Sequence, residues 1–173
     1  MNGLPFASRF NLDAPCVCHT AAHDRPGRMH HFWRCPAAQA VRTWLQQQLD
    51  TPTPVERHHI WLMILPPELA MCFGSGVCIK QVWRVVCLAA LNALWQTAGV
   101  VRNMQVQDRE SLQQQEGGVD GFLGRQAVVR LQALLHDFAT LGSPPATWRA
   151  ELPPNLPFFR FTSDDAGLQV VVS

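Results

Sequence analysis

The densest chemical feature of the chain is the twenty-residue segment 16–35, which holds three of the six cysteines and four of the seven histidines. Thiolate sulfur and imidazole nitrogen are the usual ligands of structural zinc, which is tetrahedral and closed to solvent when all four ligands come from protein. A metal held in this way ties distant parts of the backbone to one point. The segment predicts a zinc site formed by Cys16, Cys18, His30 and Cys35.

The spacing of these residues differs between the two halves of the motif. One residue separates Cys16 from Cys18, whereas about two to four residues usually separate such a pair, so the backbone must bend to bring both sulfurs to one metal. The pair His30 and Cys35 has an ordinary spacing. His31 is the closest rival to His30, because its spacing to Cys35 is also permissible. Two further histidines are alternative ligands: His19 and His23.

Two interpretations without a metal remain open for this segment. In the first, the cysteines and histidines are ordinary core and surface residues. In the second, the cysteines form a disulfide. The second is less favourable, because a pair at positions i and i+2 cannot easily close a disulfide of ordinary geometry and nothing in the chain indicates an oxidising compartment.

A helix is expected to begin directly after the last cysteine of the motif. Pro36 suits the first helical position, which places Cys35 at the N-cap, where the helix dipole favours a thiolate. Apolar residues then recur at helical spacing and predict one buried face: Ala37, Val41, Trp44 and Leu45. Because this face would pack on the metal-bearing turn, metal binding and helix docking should be coupled.

The rest of the chain reads as mainly helical. Val77–Ala98 is the strongest core helix, since its polar residues fall on one narrow stripe, and Leu123–Leu141 is a second amphipathic helix. The segment near 105–124, rich in glycine and glutamine, predicts a mobile loop. The apolar run 58–65 fits either a buried strand or a short helix, and we interpret its two histidines as residues at the solvent edge.

We therefore predict a mainly α fold, in which a small N-terminal zinc knuckle packs on a helical domain and a short β-hairpin lies near the C-terminus. Three segments follow from this interpretation. Residues 1–50 form the zinc-binding module with its helix, residues 55–142 form the helical core, and residues 143–173 form a proline-rich segment with the hairpin.

Location can also be predicted from the sequence. Three polar residues interrupt the apolar run of Val77–Ala98, which disfavours a membrane span: Arg84, Asn92 and Gln96. No positively charged region followed by an apolar run stands at the N-terminus, so no secretory signal is expected. Together with unpaired cysteines, these features predict an intracellular protein with no membrane partner, in either the nucleus or the cytoplasm.

Charge gives a local indication rather than a global one. The formal net charge is only +1, which does not by itself indicate a nucleic-acid-binding protein. Residues 1–42, however, hold five arginines and two aspartates, a balance of +3. Arg25, Arg28 and Arg34 lie inside or beside the motif. They either contact phosphates or offset the charge of zinc-bound thiolates, and both interpretations stay open.

Catalytic motifs of polymerases and nucleases are absent from the sequence. The thirteen acidic residues show no grouping typical of a metal-dependent nuclease. The adjacent pair Asp164 and Asp165 lacks the aromatic residue that precedes the aspartates of a polymerase palm. The glycines at 117–124 lack the lysine of a phosphate-binding loop. We therefore expect no enzymatic activity from this chain alone.

The motif resembles a known family. The order Asn2-Gly3-Leu4-Pro5, Cys-x-Cys, His30-x-Phe32-Trp33-x-Cys35-Pro36 and Trp44 is similar to the zinc-binding domain downstream of the polymerase domain in non-LTR retrotransposon reverse transcriptases. The family typically has two residues inside the first cysteine pair and an acidic residue before the histidine, and this chain departs from both. The resemblance spans about residues 2–49. It implies that Cys16, Cys18, His30 and Cys35 are the zinc ligands.

The function implied by this resemblance is a non-catalytic zinc-binding module of a reverse transcriptase that contributes to binding RNA or DNA. The polymerase or nuclease domain of a retroelement is then the expected protein partner. One alternative is a protein–protein interaction module with a purely structural zinc, which an exposed patch around Trp83 or Trp95 would favour. The other alternative is an inactive fragment of a retroelement.

Overall fold

The computed structural model describes residues 16–18, 27–104, 106–141, 146–154, 156–161 and 168–170. A π-helical turn, His30–Arg34, precedes the α-helices. The described helices and strands, in chain order, are α1 Pro36–Leu49, α2 Arg57–Trp61, α3 Pro67–Phe73, α4 Val77–Asn103, α5 Val106–Gln113, α6 Gly118–Leu141, α7 Ala146–Glu151, β1 Phe159–Phe161 and β2 Leu168–Val170. The prediction of a mainly α fold is confirmed.

Helix α1 follows the expected pattern. Cys35 is its N-cap residue and Pro36 begins it. All four residues of the predicted face are buried: Ala37, Val41, Trp44 and Leu45. The helix ends at Asp50, whose φ of 48° lies in the left-handed region. The Gln46 side chain then accepts the Val55 N–H at 2.7 Å and donates to the Thr51 carbonyl at 2.6 Å. These bonds fold the proline-containing loop back onto α1.

Helix α6 is the centre of the packing, because α1 and α4 both lie against it. Small residues allow the close approach of α1. A Cβ atom added to Gly124 would lie only 3.0 Å from the Cβ of Ala40, so a larger residue there would require the two helices to shift by a few tenths of an ångström. The prediction of a loop near 105–124 was wrong, because the described residues of this segment contain α5 and the first turns of α6. Glutamine is a good helix former, and residues 114–117 interrupt the two helices, with positive φ values of 79° at Gly117 and 56° at Gly118, the first residue of α6.

Helix α4 is the long core helix, and it extends five residues beyond the predicted end at Ala98. Val77–Val100 is long and apolar enough, by length and composition, to cross a membrane, and 56% of its most apolar window is buried inside the fold. Trp83 is completely buried and lies against Phe158, with ring centroids 6.0 Å apart. Its Nε1–H donates to the His59 carbonyl at 3.0 Å. The helix thus provides one wall of the hydrophobic core.

The apolar run 58–65 forms the short helix α2 followed by non-helical residues. His58 is exposed as predicted, but the prediction that both histidines lie at the solvent edge was wrong for His59, which is buried. Its Nδ1 accepts the Glu56 N–H at 3.1 Å, and this bond belongs to a capping box at the start of α2. A histidine can be buried here because its ring nitrogen satisfies a backbone donor.

The C-terminal strands pair antiparallel, with Phe159 opposite Val170, as the hairpin prediction requires. The residues that connect them lie outside the described part of the chain. Phe158 and Phe159 are buried against rings from the helices, so the strand region shares the core. Described residues from all three predicted segments, 1–50, 55–142 and 143–173, contribute to one hydrophobic cluster. The boundaries between these segments stay a prediction.

Replacing Trp83 should be costly. Trp83→Ala removes a fully buried ring and its hydrogen bond to the His59 carbonyl. We expect the free energy of unfolding to fall by about 3–5 kcal/mol in chemical denaturation. Leu88→Ala on the same helix is the matched control, because the Leu88 side chain is 55% exposed, and its cost should stay below about 1 kcal/mol. Equal costs would contradict the packing described for α4.

Acid should destabilise the fold through His59. Burial, and then the positive charge of His58, lower the pKa of His59 below its ordinary value of 6.5. Between the lowered pKa and pH 6.5 the unfolded chain binds a proton that the folded chain does not, so stability falls as the pH drops through this window. We expect His59→Gln, which can keep the capping bond, to lose less stability than wild type between pH 7.5 and pH 6 in denaturation with zinc in excess. Parallel curves for the two proteins would contradict this assignment.

Candidate metal centre

The four side chains predicted as ligands converge on one point. The sulfurs of Cys16, Cys18 and Cys35 and a ring nitrogen of His30 all lie within 4.8 Å of one another. The Sγ atoms of Cys16 and Cys35 are 3.9 Å apart, and Cys18 Sγ lies 3.3 Å from His30 Nε2. Metal–ligand bonds of ordinary length in a tetrahedron place two sulfurs about 3.8 Å apart and a sulfur and a nitrogen about 3.5 Å apart. The cluster therefore has the dimensions of a tetrahedral metal site.

A π-helical turn positions the second pair of ligands. The Cys35 N–H donates to the His30 carbonyl at 2.8 Å, which closes a turn one residue wider than an α-helical turn. Such turns are rare and occur frequently at functional sites. The wider turn brings the side chains of His30 and Cys35, five positions apart, into one cluster. Cys35 also serves as the N-cap of α1, so the cluster is joined directly to the helix that packs on α6.

Burial and proximity make the thiols difficult to ionise without a cation. His30, Cys18 and Cys35 are buried and Cys16 is half-buried. Hydrogen bonding with the Cys16 and Cys18 sulfurs, together with burial, raises the pKa of Cys35 strongly. The pKa of Cys16 is also raised, first by the Cys18 thiol. Thiolates in one buried cluster repel one another, and a divalent cation removes that cost because it lies close to all of them. The arrangement can hold a metal ion.

Of the rival ligands, His31 alone is among the described residues. His31 is outside the cluster, and its ring packs edge-on against His30 with centroids 5.3 Å apart. His19 and His23 lie outside the described residues. All six cysteines are free thiols, so the structure contains no disulfide. Cys87 is fully buried in the core, where desolvation raises the pKa of its thiol.

The arginines predicted for phosphate contact are only partly within the described residues. Arg28 and Arg34 are exposed at the two ends of the metal-bearing turn, and Arg25 lies outside the described part of the chain. Residues 27–35 contain no aspartate or glutamate. Sequence reasoning missed a further cation: the Arg42 guanidinium lies 3.9 Å from the centre of the Trp33 ring. The spacing of Trp33 and Arg42 gives no signal for this contact, because the two residues lie on different elements.

An aromatic cavity lies beside the metal-bearing turn and was also missed. It has a volume of 350 Å³ and is lined by Arg28, Phe32, Trp61, Leu91 and Trp95. The Trp95 side chain is 41% exposed, whereas Trp83 is completely buried. The sequence named Trp95 as a residue whose exposure would matter, but nothing in it placed Phe32 or Trp61 next to this residue.

Metal analysis of the purified chain tests the cluster directly. We expect close to one zinc ion per chain by elemental mass spectrometry, and loss of that zinc in Cys35→Ser, which removes one of four ligands. Cys72→Ser is the matched control, because Cys72 is exposed and lies outside the cluster. Zinc bound equally by all three proteins, or by none of them, would contradict a site at these residues.

The same measurement separates the two adjacent histidines. His30→Asn should lose metal, while His31→Asn should retain it, because His30 and not His31 places a ring nitrogen among the three sulfurs. Cobalt substitution supplies a second readout, since the visible absorption of Co²⁺ reports tetrahedral coordination by sulfur. The opposite result, with metal lost in the His31 variant alone, would exchange the roles of the two residues.

Comparison of the chain with protein-family models, with curated proteins and with solved structures finds no significant match. The resemblance to the zinc-binding domain of reverse transcriptases therefore stays a prediction that rests on the sequence motif. Geometry supports a narrower conclusion: the chain is a mainly helical protein with a buried Cys₃His cluster of a size and composition that can hold a metal ion.

Proposed function

We propose that the chain is a zinc-binding module whose metal centre is structural rather than catalytic. The observation that carries the proposal is the Cys₃His cluster, with four ligand atoms within 4.8 Å of one another. Four protein ligands fill a tetrahedral shell, and catalytic zinc sites instead keep one position for water or substrate. Three sulfur ligands also favour zinc over harder ions such as Mg²⁺ and Ca²⁺.

The metal has a mechanical role in this proposal. It ties the segment with Cys16 and Cys18 to the π-helical turn and to the N-cap of α1. Helix α1 in turn buries its apolar face on α6. Since ligand binding to the folded state adds to folding stability, zinc should stabilise the whole described core rather than the turn alone.

The surface of the metal-bearing turn supports RNA or DNA as the partner. Arg28 and Arg34 are exposed there, and residues 27–35 carry no negative side chain. Contacts from arginine to phosphates position a nucleic acid without reading its sequence. We propose sequence-tolerant binding through these arginines, with Arg25 contributing from outside the described residues. Membership of a retroelement reverse transcriptase, with its polymerase or nuclease domain as protein partner, rests on the motif resemblance alone.

A second candidate function is favoured by one observation. Trp95 is 41% exposed and lines an apolar cavity, as expected of a protein interaction module with a purely structural zinc. The fully buried Trp83 gives no such support. The two candidates differ in their response to salt, because phosphate contacts weaken as salt rises whereas burial of apolar surface does not.

Salt titration tests the proposed phosphate contacts. Each phosphate contact contributes about −0.7 to the slope of log affinity against log salt for a single strand. The double variant Arg28→Gln, Arg34→Gln should therefore lower the magnitude of the slope by about 1.4, measured by fluorescence anisotropy with the zinc-loaded chain. Arg160→Gln is the control, because Arg160 is exposed on β1. An affinity that does not change with salt, or an unchanged slope in the double variant, would overturn the phosphate-contact proposal.

A further inference from the structure

The aromatic cavity is formed jointly by the metal-bearing turn and the helical core. Arg28 and Phe32 come from the residues around His30, Trp61 ends α2, and Leu91 and Trp95 lie on α4. Three of its five lining residues are aromatic. The volume of 350 Å³ lies within the range of about 300–1,000 Å³ that is usual for small-molecule sites. It is therefore large enough for one planar ring system.

Contacts within the lining hold its rings in place. The Trp61 Nε1–H donates to the Phe32 carbonyl at 3.5 Å, a long bond that joins α2 to the turn. The Arg57 guanidinium lies 5.4 Å from the centre of the Trp61 ring, and Arg57 Nη1 lies 3.4 Å from the sulfur of Met29. The rings of the cavity are thus supported from neighbouring elements before any ligand binds.

The charged groups that the structure places on the described lining are of one sign. Arg28 is part of the lining and Arg57 packs on one of its rings, while none of the five lining residues is acidic. A cationic ligand would meet Arg28 with no carboxylate among the described lining residues to compensate it. A ligand with an apolar planar part and an anionic part would place the former among the rings and the latter near the arginines.

We propose that this cavity binds an unpaired base of a single-stranded nucleic acid, with its neighbouring phosphate near Arg28. The inference rests on the proposed function, because it assigns one part of the same nucleic-acid surface. Bases stack on aromatic side chains with little regard to sequence, and a base inside a duplex cannot enter such a cavity. The cavity thus gives the module a preference for single strands, which phosphate contacts alone do not provide.

Metal binding and base binding are coupled in this arrangement. Phe32 lies in the turn that the metal ties to α1, and Arg28 lies two positions before the turn begins at His30. Removing the metal frees the turn and separates Phe32 from the two tryptophans. The zinc-free chain should accordingly lose its preference for single strands.

The test compares a fluorescent ten-nucleotide oligouridylate or oligothymidylate with a ten-base-pair duplex, using the zinc-loaded full chain and fluorescence anisotropy. Trp95→Ala should weaken binding of the single strand by about tenfold, within the range of roughly 5- to 150-fold known for stacking on one aromatic residue. Binding of the duplex should change by less than about twofold, since the phosphate contacts are intact. Leu88→Ala is the control, because Leu88 is exposed on α4 and does not line the cavity.

The outcomes separate this inference from the function on which it rests. If binding is salt-sensitive but Trp95→Ala binds the single strand as tightly as wild type does, the base site is overturned and the phosphate contacts still stand. No binding of any oligonucleotide would overturn both. A fluorescein-labelled amphipathic helical peptide that binds wild type and not Trp95→Ala, with oligonucleotide binding unchanged, would assign the cavity to a protein partner.

Photochemical crosslinking gives an independent readout of position. An oligonucleotide that contains 5-iodouracil, irradiated in complex with the zinc-loaded chain, should crosslink to Trp95, Trp61 or Phe32, and peptide mass spectrometry identifies the residue. Crosslinks confined to other parts of the chain would overturn the proposal, even if Trp95→Ala weakens binding.

Discussion

The cost of forming thiolates in one small buried cluster is the constraint on which the rest of the structure depends. Three sulfurs and one imidazole nitrogen share a space less than 4.8 Å across, and each thiolate formed there raises the cost of forming the next. A chain gains from such an arrangement only when a cation at its centre offsets this repulsion. Because one of these cysteines, Cys35, is also the N-cap residue of α1, the energetic balance of the cluster extends to the packing of α1 on α6.

Packing around the cluster depends on the close approach of two helices and on hydrogen bonds made by partly or fully buried polar groups. Gly124 allows α1 to come near α6, and Gln46 holds the loop that leaves α1. The His59 ring accepts the Glu56 N–H at the start of α2, and the His59 carbonyl accepts the Nε1–H of the core tryptophan Trp83. These contacts bring the end of α2 against α4, so that an aromatic cavity forms beside the metal-bearing turn.

The sequence allowed good predictions wherever a local rule decided the structure. Spacing and ligand chemistry brought Cys16, Cys18, His30 and Cys35 together as a candidate set, and proline after cysteine located the start of α1. Hydrophobic periodicity located the buried face of α1 and most of α4. Each of these features depends on residues close together in the chain, which is why one sequence sufficed for them.

The predictions from sequence failed mainly where contacts between residues far apart in the chain decided the structure. The glycines near 105–124 indicated a loop, but Gly124 serves helix packing that depends on Ala40, far away in the sequence. His59 is an exception, because the partner of its ring, the Glu56 N–H, is only three residues away; it was interpreted as a surface residue because such a capping bond gives no periodic signal. The cavity could not be predicted, since its rings come from three elements whose relative position is set by the tertiary fold.

The π-helical turn makes the length of this part of the chain more important than its composition. Its extra residue sets the angle around the helix axis between the side chains of His30 and Cys35. The turn can therefore keep its shape when exposed side chains change, but not when its length changes. Deleting one residue would rotate one ligand relative to the other by about 100°, as along an α-helix. Among relatives of this chain, the number of residues between His30 and Cys35 should therefore stay constant, while insertions and deletions should be confined to the segment that precedes the turn.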